Sequence, residues 1–155
     1  IKLKKIKIGH RKILVPLSYG CPRYRMLVNF TGRFLFKQNY FPLNDFLNLE
    51  QYNAVLLGAN VMIFNHIRAQ AIGNIFFGVW AGHKIFLRKK NPVFSYLKSL
   101  GVSVYSIEED FTDQNLDNLE PELQKRNREI ITFHYSEEKV RNNFKEMLNA
   151  VEISR

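Results

Sequence analysis

A chain of 155 residues, 46% hydrophobic and 14% aromatic, can bury a core and is not compositionally disordered. Its one cysteine, Cys21, excludes an internal disulfide framework and a thiolate zinc cluster, and suits a reducing cytoplasm. The formal charge of +9, from 23 basic against 14 acidic residues, favours nucleic acid, anionic lipid headgroups or phosphorylated small molecules without choosing among them.

The opening IKLKKIKI starts at Ile rather than Met and has no leader organisation, so the chain reads as part of a longer protein. Ile13 to Leu17 is an apolar run entering the loop Ser18-Tyr19-Gly20-Cys21-Pro22, and Tyr24, Leu27 and Val28 begin a helical face that continues to about Phe36. Tyr40 to Leu43 is a short aromatic segment with Pro42. Asn44 or Asp45 then serves as N-cap of a helix through Phe46, Leu49, Tyr52, Val55 and Leu56, with Gly58 as its stop. Val61 to Phe64 and Lys84 to Leu87 flank a segment of helical spacing that ends at Gly82, a βαβ unit.

Asn91-Pro92 opens a helix with Phe94, Leu97 and Leu100 that stops at Gly101, and Val102 to Ile107 alternates as a strand. Glu108 to Asp113 is an acidic loop, and residues 116–130 are polar and helical. Ser136 caps a last helix, over 136–151, with Val140, Phe144, Met147 and Val151 at core spacing. The alternation predicts an α/β fold with a Rossmann-like, doubly wound, mainly parallel sheet, its strands near 13–17, 61–64, 84–87 and 103–107. No repeat or linker interrupts it, so residues 1–155 form a single expected domain. The longest apolar stretch, Ile75 to Ala81, is too short to cross a bilayer, so membrane contact is expected to be peripheral.

A βαβ unit sets the carboxyl end of its first strand beside a helix N-terminus, where backbone N–H groups favour an anion. Asn65, His66, Arg68, Gln70, Gly73 and Asn74 fall at that crevice, whereas Ile72, Ile75, Phe76, Val79 and Trp80 form the buried helix face. Gln70 and Asn74 are costly choices for a buried first turn, and Arg68 opposes the helix dipole, so all three read as ligand contacts. Gly73 serves either close helix packing or the ligand; a lone loop histidine such as His66 is more often structural than an acid or base. Ser18, Tyr19, Gly20, Arg23 and Tyr24 form the equivalent turn after the earlier strand, expected to open on the same sheet edge. Neither turn carries a GxGxxG or Walker pattern. His10, His66, His83 and His134 lack ligand spacing and no Asp-x-Asp pair is present, so no metal and no other cofactor are expected. Cys21 has no paired histidine and reads as a buried structural thiol. Glu108, Glu109 and Asp110 are either solvated or facing the crevice.

These residues carry a family resemblance. P-L-S-Y-G at Pro16 to Gly20, Tyr24, Gly32, P-L at Pro42 and Leu43, Tyr52, N-H-x-R-x-Q-x-x-G-N from Asn65 to Asn74, A-G-H-K-I-F-L from Ala81 to Leu87 and N-P at Asn91 resemble the bacterial lipid-II N-acetylfucosaminyltransferases, also labelled 4-alpha-L-fucosyltransferases. The resemblance covers about residues 10–110. The family often has a second glutamine where this chain has Ala69, and no role is carried to that position. The resemblance implies the C-terminal, donor-binding half of a GT-B glycosyltransferase, peripheral to the cytoplasmic face of the bacterial inner membrane and inactive alone. Implied partners are a dTDP- or GDP-linked deoxy(amino)hexose such as N-acetylfucosamine or fucose, a polyprenyl-diphosphate-linked saccharide, the anionic membrane surface and the protein's own N-terminal domain. Carried over, Arg68, Gln70, Gly73 and Asn74 contact the diphosphate or sugar. Ser18, Tyr19, Gly20 and Arg23 line the opposing turn, and the Pro42 and Leu43 backbone borders the base; no catalytic base is assigned.

Two rival readings stand beside it. One is a basic RNA-binding α/β module using Tyr19, Tyr24 and Phe30 as stacking aromatics, although the aromatics fall mostly at core spacing. The other is a Rossmann-like partner domain that binds neither ligand.

Overall fold

The computed structural model describes residues 6–153. The chain is α/β and divides between Val55 and Leu56 into two compact units. The first holds β1 (Ile13–Pro16), α1 (Pro22–Phe36) and β2 (Tyr40–Leu43), and α2 (Leu49–Leu57) runs through the division. The second holds β3 (Val61–Phe64), α3 (Ile72–Ala81), β4 (Lys84–Leu87), α4 (Pro92–Ser99), β5 (Tyr105–Ser106), α5 (Pro121–Tyr135) and α6 (Glu137–Ile153).

Every ladder is parallel, as expected, but the expectation of one sheet is corrected. β1 pairs with β2, and β3, β4 and β5 form a separate three-stranded sheet in that order. The unexpected strand is the aromatic segment with Pro42, which supplies β1 with its hydrogen-bonding edge from Ile13↔Tyr40 to Pro16↔Leu43. Leu17 N extends this ladder onto Leu43 O at 2.8 Å. Proline has no N–H to give, so such a strand serves on a side where no donor is needed.

In the first unit α1 lies over the ring of Tyr40, because Gly32 has no side chain. A Cβ there would stand 2.3 Å from Tyr40 Cε2. The Tyr40 hydroxyl donates to Asn29 Oδ1 at 3.0 Å, and Asn29 Nδ2 donates to Asn44 Oδ1 at 3.0 Å. Asn44 is therefore spent on α1, and neither it nor Asp45 caps α2. Asn48 does: its Oδ1 accepts from Gln51 N at 2.9 Å while Gln51 Oε1 accepts from Asn48 N at 3.1 Å, a reciprocal capping box.

The core of the second unit is β4, where Ile85, Phe86 and Leu87 are fully buried, as a central parallel strand covered on both faces requires. Ile75 and Val79 of α3 face it, and Gly78 gives the close approach: a Cβ there would meet Met62 Sδ at 2.6 Å. Gly82 (φ 90) and Gly101 (φ 83) end α3 and α4 in the left-handed conformation. In each case the next amide turns back, His83 N to Gly78 O at 2.9 Å and Val102 N to Leu97 O at 3.0 Å.

Four further expectations are corrected. β5 is short because the side chain of buried Asn127 takes both peptide groups of Ser103, N–H to Oδ1 at 2.8 Å and Nδ2 to C=O at 3.2 Å. The polar helix starts at Pro121, since Leu116 and Leu119 are buried before it. Ile72 and Trp80 are half exposed; Trp80 lies under the Arg128 guanidinium, 5.5 Å from its ring, with Arg128 Nε bonded to Trp80 O at 2.9 Å. Ser136 does cap α6, its Oγ accepting from Lys139 N at 3.3 Å, but Val140, Phe144 and Met147 are exposed, because α6 packs on α5 rather than into a core. The Val151 side chain lies outside the described residues.

Two outcomes follow. Gly32→Ala should lower thermal stability by about 1–3 kcal/mol through overpacking on Tyr40, outweighing the roughly 1 kcal/mol of helix propensity gained; an unchanged melting temperature would contradict this packing. Buried His83 carries an Nε2 with no partner, and burial holds its imidazole below the ordinary 6.5, against an opposing hydrogen bond to the Leu56 backbone. The unfolded chain then binds the proton first, so stability is full above pH 6.5 and falls as pH drops from there toward the lowered folded value. Melting temperatures across that window should fall in the wild type and flatten in His83→Gln.

Candidate functional site

A parallel sheet sends all its strand carboxyl ends to one edge, so the loops leaving them converge. At that edge of the second unit, Asn91 is fully buried. Its Oδ1 accepts from Val93 N at 2.9 Å, which caps α4 at Pro92 as expected. Its Nδ2 donates to His66 O and Arg68 O, both at 3.2 Å, and so ties the loop after β3 to the start of α4. Arg68 O also stands 2.8 Å from His66 Nδ1 and accepts from Gln70 N at 2.9 Å. Asn91 Nδ2 also stands 3.0 Å from His66 Nδ1, so that nitrogen donates to the Arg68 carbonyl in one tautomer and accepts from the Asn91 amide in the other. Among the described residues His66 Nε2 is a buried atom without a hydrogen-bond partner. His66 is thus a positioning group of the loop. With its carbonyl pinned, Arg68 carries its side chain exposed.

The loop delivers the chain to α3 through Ala71, held in the left-handed region at φ 52, ψ 33. A non-glycine residue there costs about 1–2 kcal/mol and persists because its surroundings fix it. No side chain caps this N-terminus and its first turn contains no acid. The first intrahelical bond comes from Ile75 N to Ala71 O, which leaves the Ile72 and Gly73 amides outside the helical ladder. Gly73 settles one open alternative: a Cβ there would meet nothing within 4 Å, so it does not serve close packing. That role belongs to Gly78.

The first unit builds a second turn at the carboxyl end of β1. Ser18 and the exposed Tyr19, Gly20 and Arg23 follow Leu17, next to Leu43 of β2. Pro42 and Leu43 are half buried, and Tyr19 meets Phe46 edge-on at 5.8 Å. The two turns thus leave two different sheets. Cys21 is exposed, which corrects the expectation of a buried thiol. It stands at the start of α1, where the Tyr24 and Arg23 backbone amides hold its pKa below the ordinary value. The expectation that the aromatics fall mostly at core positions is also corrected at Tyr19, in the turn before α1, and at Tyr24 and Phe30 on α1, all exposed.

Sequence reasoning left three contributors unassigned. Arg88 Nε donates to Asn65 Oδ1 at 2.9 Å and lies 3.9 Å from Glu108; Glu108 in turn accepts from Lys89 N at 3.1 Å. Asn91 was legible only as a cap. The basic run directly after β4 was the available signal. Of the acidic loop, Glu108 thus reaches the edge, Glu109 pairs with Lys89, and Asp110 accepts from Ser106 N at 2.6 Å within its own turn. Lys84 belongs to the opposite, amino end of β4, where its Nζ donates to Asn115 Oδ1 at 2.9 Å. Among the described residues no group of three His, Cys, Asp or Glu stands in position to hold a metal. A concavity of about 430 Å³ lined by Ile8, Leu35 and Phe36 contains none of the residues discussed.

A family model described as 4-alpha-L-fucosyltransferase glycosyl transferase group 56 matches residues 2–152. No curated protein and no solved structure matches the chain.

Asn91→Asp separates the two jobs of that side chain. The carboxylate still accepts from Val93 N but faces the His66 and Arg68 carbonyls with no hydrogen to give. Amide exchange should accelerate over residues 66–71 while α4 keeps its protection, with about 1–3 kcal/mol lost for the unsatisfied carbonyls. Equal loss across both segments would contradict the two-way clip.

Proposed function

The chain belongs to the 4-alpha-L-fucosyltransferase family, glycosyl transferase group 56, and from that premise we propose that it is the donor-binding, C-terminal half of a GT-B enzyme. Transfer in this family takes a sugar from a nucleotide-sugar donor to a glycan acceptor. The donor proposed here is a dTDP- or GDP-linked deoxy(amino)hexose, and the acceptor a polyprenyl-diphosphate-linked saccharide. The enzyme would work peripherally at the cytoplasmic face of the bacterial inner membrane, its N-terminal domain completing the site.

The observation that carries the reading is the α3 N-terminus, uncapped, acid-free and open at Gly73, with Arg68 exposed on the loop before it. A diphosphate accepts from the Ile72 and Gly73 amides and pairs with the guanidinium. The same groups stabilise it as it departs with the donor's electrons. Gln70 and Asn74 are assigned to the sugar or phosphate, and Asn65 and His66 to holding the loop. For the first unit, the family resemblance alone assigns Ser18, Tyr19, Gly20 and Arg23 of the turn after β1, and the Pro42 and Leu43 backbone, to the nucleotide-sugar.

Calorimetry with dTDP and GDP tests this. Arg68→Ala should weaken the better nucleotide about 10- to 100-fold, the equivalent of roughly 1.5–3 kcal/mol for a charge-assisted contact, at an unchanged melting temperature. Gln70→Ala and Asn74→Ala should lower turnover in the full-length enzyme more than they lower stability. Unaltered affinity in Arg68→Ala would remove the diphosphate from α3.

A further inference from the structure

The net charge of this chain is confined to one end. Residues 1–44 carry ten Lys and Arg and no Asp or Glu, whereas residues 45–155 carry 13 basic and 14 acidic side chains. Within the basic part, α1 turns Gly32 and Asn29 toward Tyr40 and leaves a continuous opposite face. Met26, Leu27, Phe30 and Phe34, spaced by three and four, are 70%, 61%, 73% and 74% exposed. Arg23 and Arg33 fall on the same helical face, both exposed.

We propose that this face of α1 is a docking surface for an anionic phospholipid bilayer, lying in the headgroup plane with Phe30 and Phe34 in the acyl boundary. The inference rests on the peripheral-membrane reading proposed above, which it locates on one helix, and not on the diphosphate site at α3. An interfacial helix needs a broad apolar face, flanking arginines that reach lipid phosphates, and no acid among them; α1 has all three. A second copy of the chain fits poorly, because pairing two such faces opposes arginine to arginine. Nucleic acid gives no return for burying Met26 and Leu27. α6 supplies the contrast: Val140, Phe144 and Met147 are exposed there too, but Glu137, Glu138 and Glu146 offset Lys139, Arg141 and Lys145, so that helix has no excess of positive charge. Among the described residues no helix is long and apolar enough to cross a membrane, so contact through α1 is in-plane.

Co-sedimentation of the chain with vesicles of phosphatidylcholine and phosphatidylglycerol at 3:1, against pure phosphatidylcholine, tests the proposal. The wild type should bind the anionic vesicles at least tenfold more tightly than the neutral ones. Phe30→Ser/Phe34→Ser should lose at least tenfold on anionic vesicles, Arg23→Gln/Arg33→Gln should lose the preference for them, and Phe144→Ser/Met147→Ser should change neither. Should the phenylalanine pair alter the melting temperature, Phe34→Ser alone carries the same expectation at a smaller size. dTDP affinity should stay constant in the phenylalanine variants, and Arg68→Ala should keep vesicle binding, so the two readings fail separately. Vesicle binding indifferent to the phenylalanines would overturn the proposal. So would binding of a single-stranded RNA oligomer without vesicle binding, or a dimer that the phenylalanine variants dissolve.

Discussion

The geometry at the strand ends of the second unit depends on one buried amide. Asn91 has an acceptor and two donors and spends all of them, the acceptor on the first turn of α4 and the donors on the carbonyls of His66 and Arg68. The donated bonds cross from the start of α4 to two successive carbonyls of the loop after β3, so the two segments are fixed together. The left-handed Ala71 and the open N-terminus of α3 follow from a loop held on that side.

The same economy recurs wherever the chain departs from regular structure. Asn127 stands in for a neighbouring strand at Ser103, Asn48 and Gln51 exchange hydrogen bonds at the start of α2, and Asn29 joins Tyr40 to Asn44. Side-chain amides carry a donor and an acceptor on one short arm, which matches a peptide group in both senses. Ladders of four residues or fewer cannot supply enough backbone partners, and these amides make up the difference.

Charge and apolar surface are distributed with a similar division. At the carboxyl edge of β3, β4 and β5 the cations Arg88 and Lys89 are answered by Glu108 and Glu109. Arg68 makes no ion pair among the described residues, and it stands before the uncapped α3. The excess positive charge lies on the chain segment that includes α1. A family that passes a sugar between a charged nucleotide donor and a glycan acceptor has use for a diphosphate site and a separate means of finding its acceptor.

What the sequence by itself determined was local. The ends of α3 and α4 at Gly82 and Gly101, the Asn91-Pro92 start and the Ser136 cap rest on preferences that act within one turn of chain, so they could be read directly. The strand–loop–helix order after β3 and the family motif were legible for the same reason: the three are contiguous in the chain. Tertiary structure decided which segment pairs with β1, because an apolar run shows that a strand wants a neighbour and not which neighbour. It likewise assigned Asn44 to Asn29, left Cys21 in solvent, gave the packing role to Gly78 instead of Gly73, and kept Phe30 and Phe144 exposed at spacings that suit a core. Periodicity gives a helix an apolar side, and only the arrival of another element buries it.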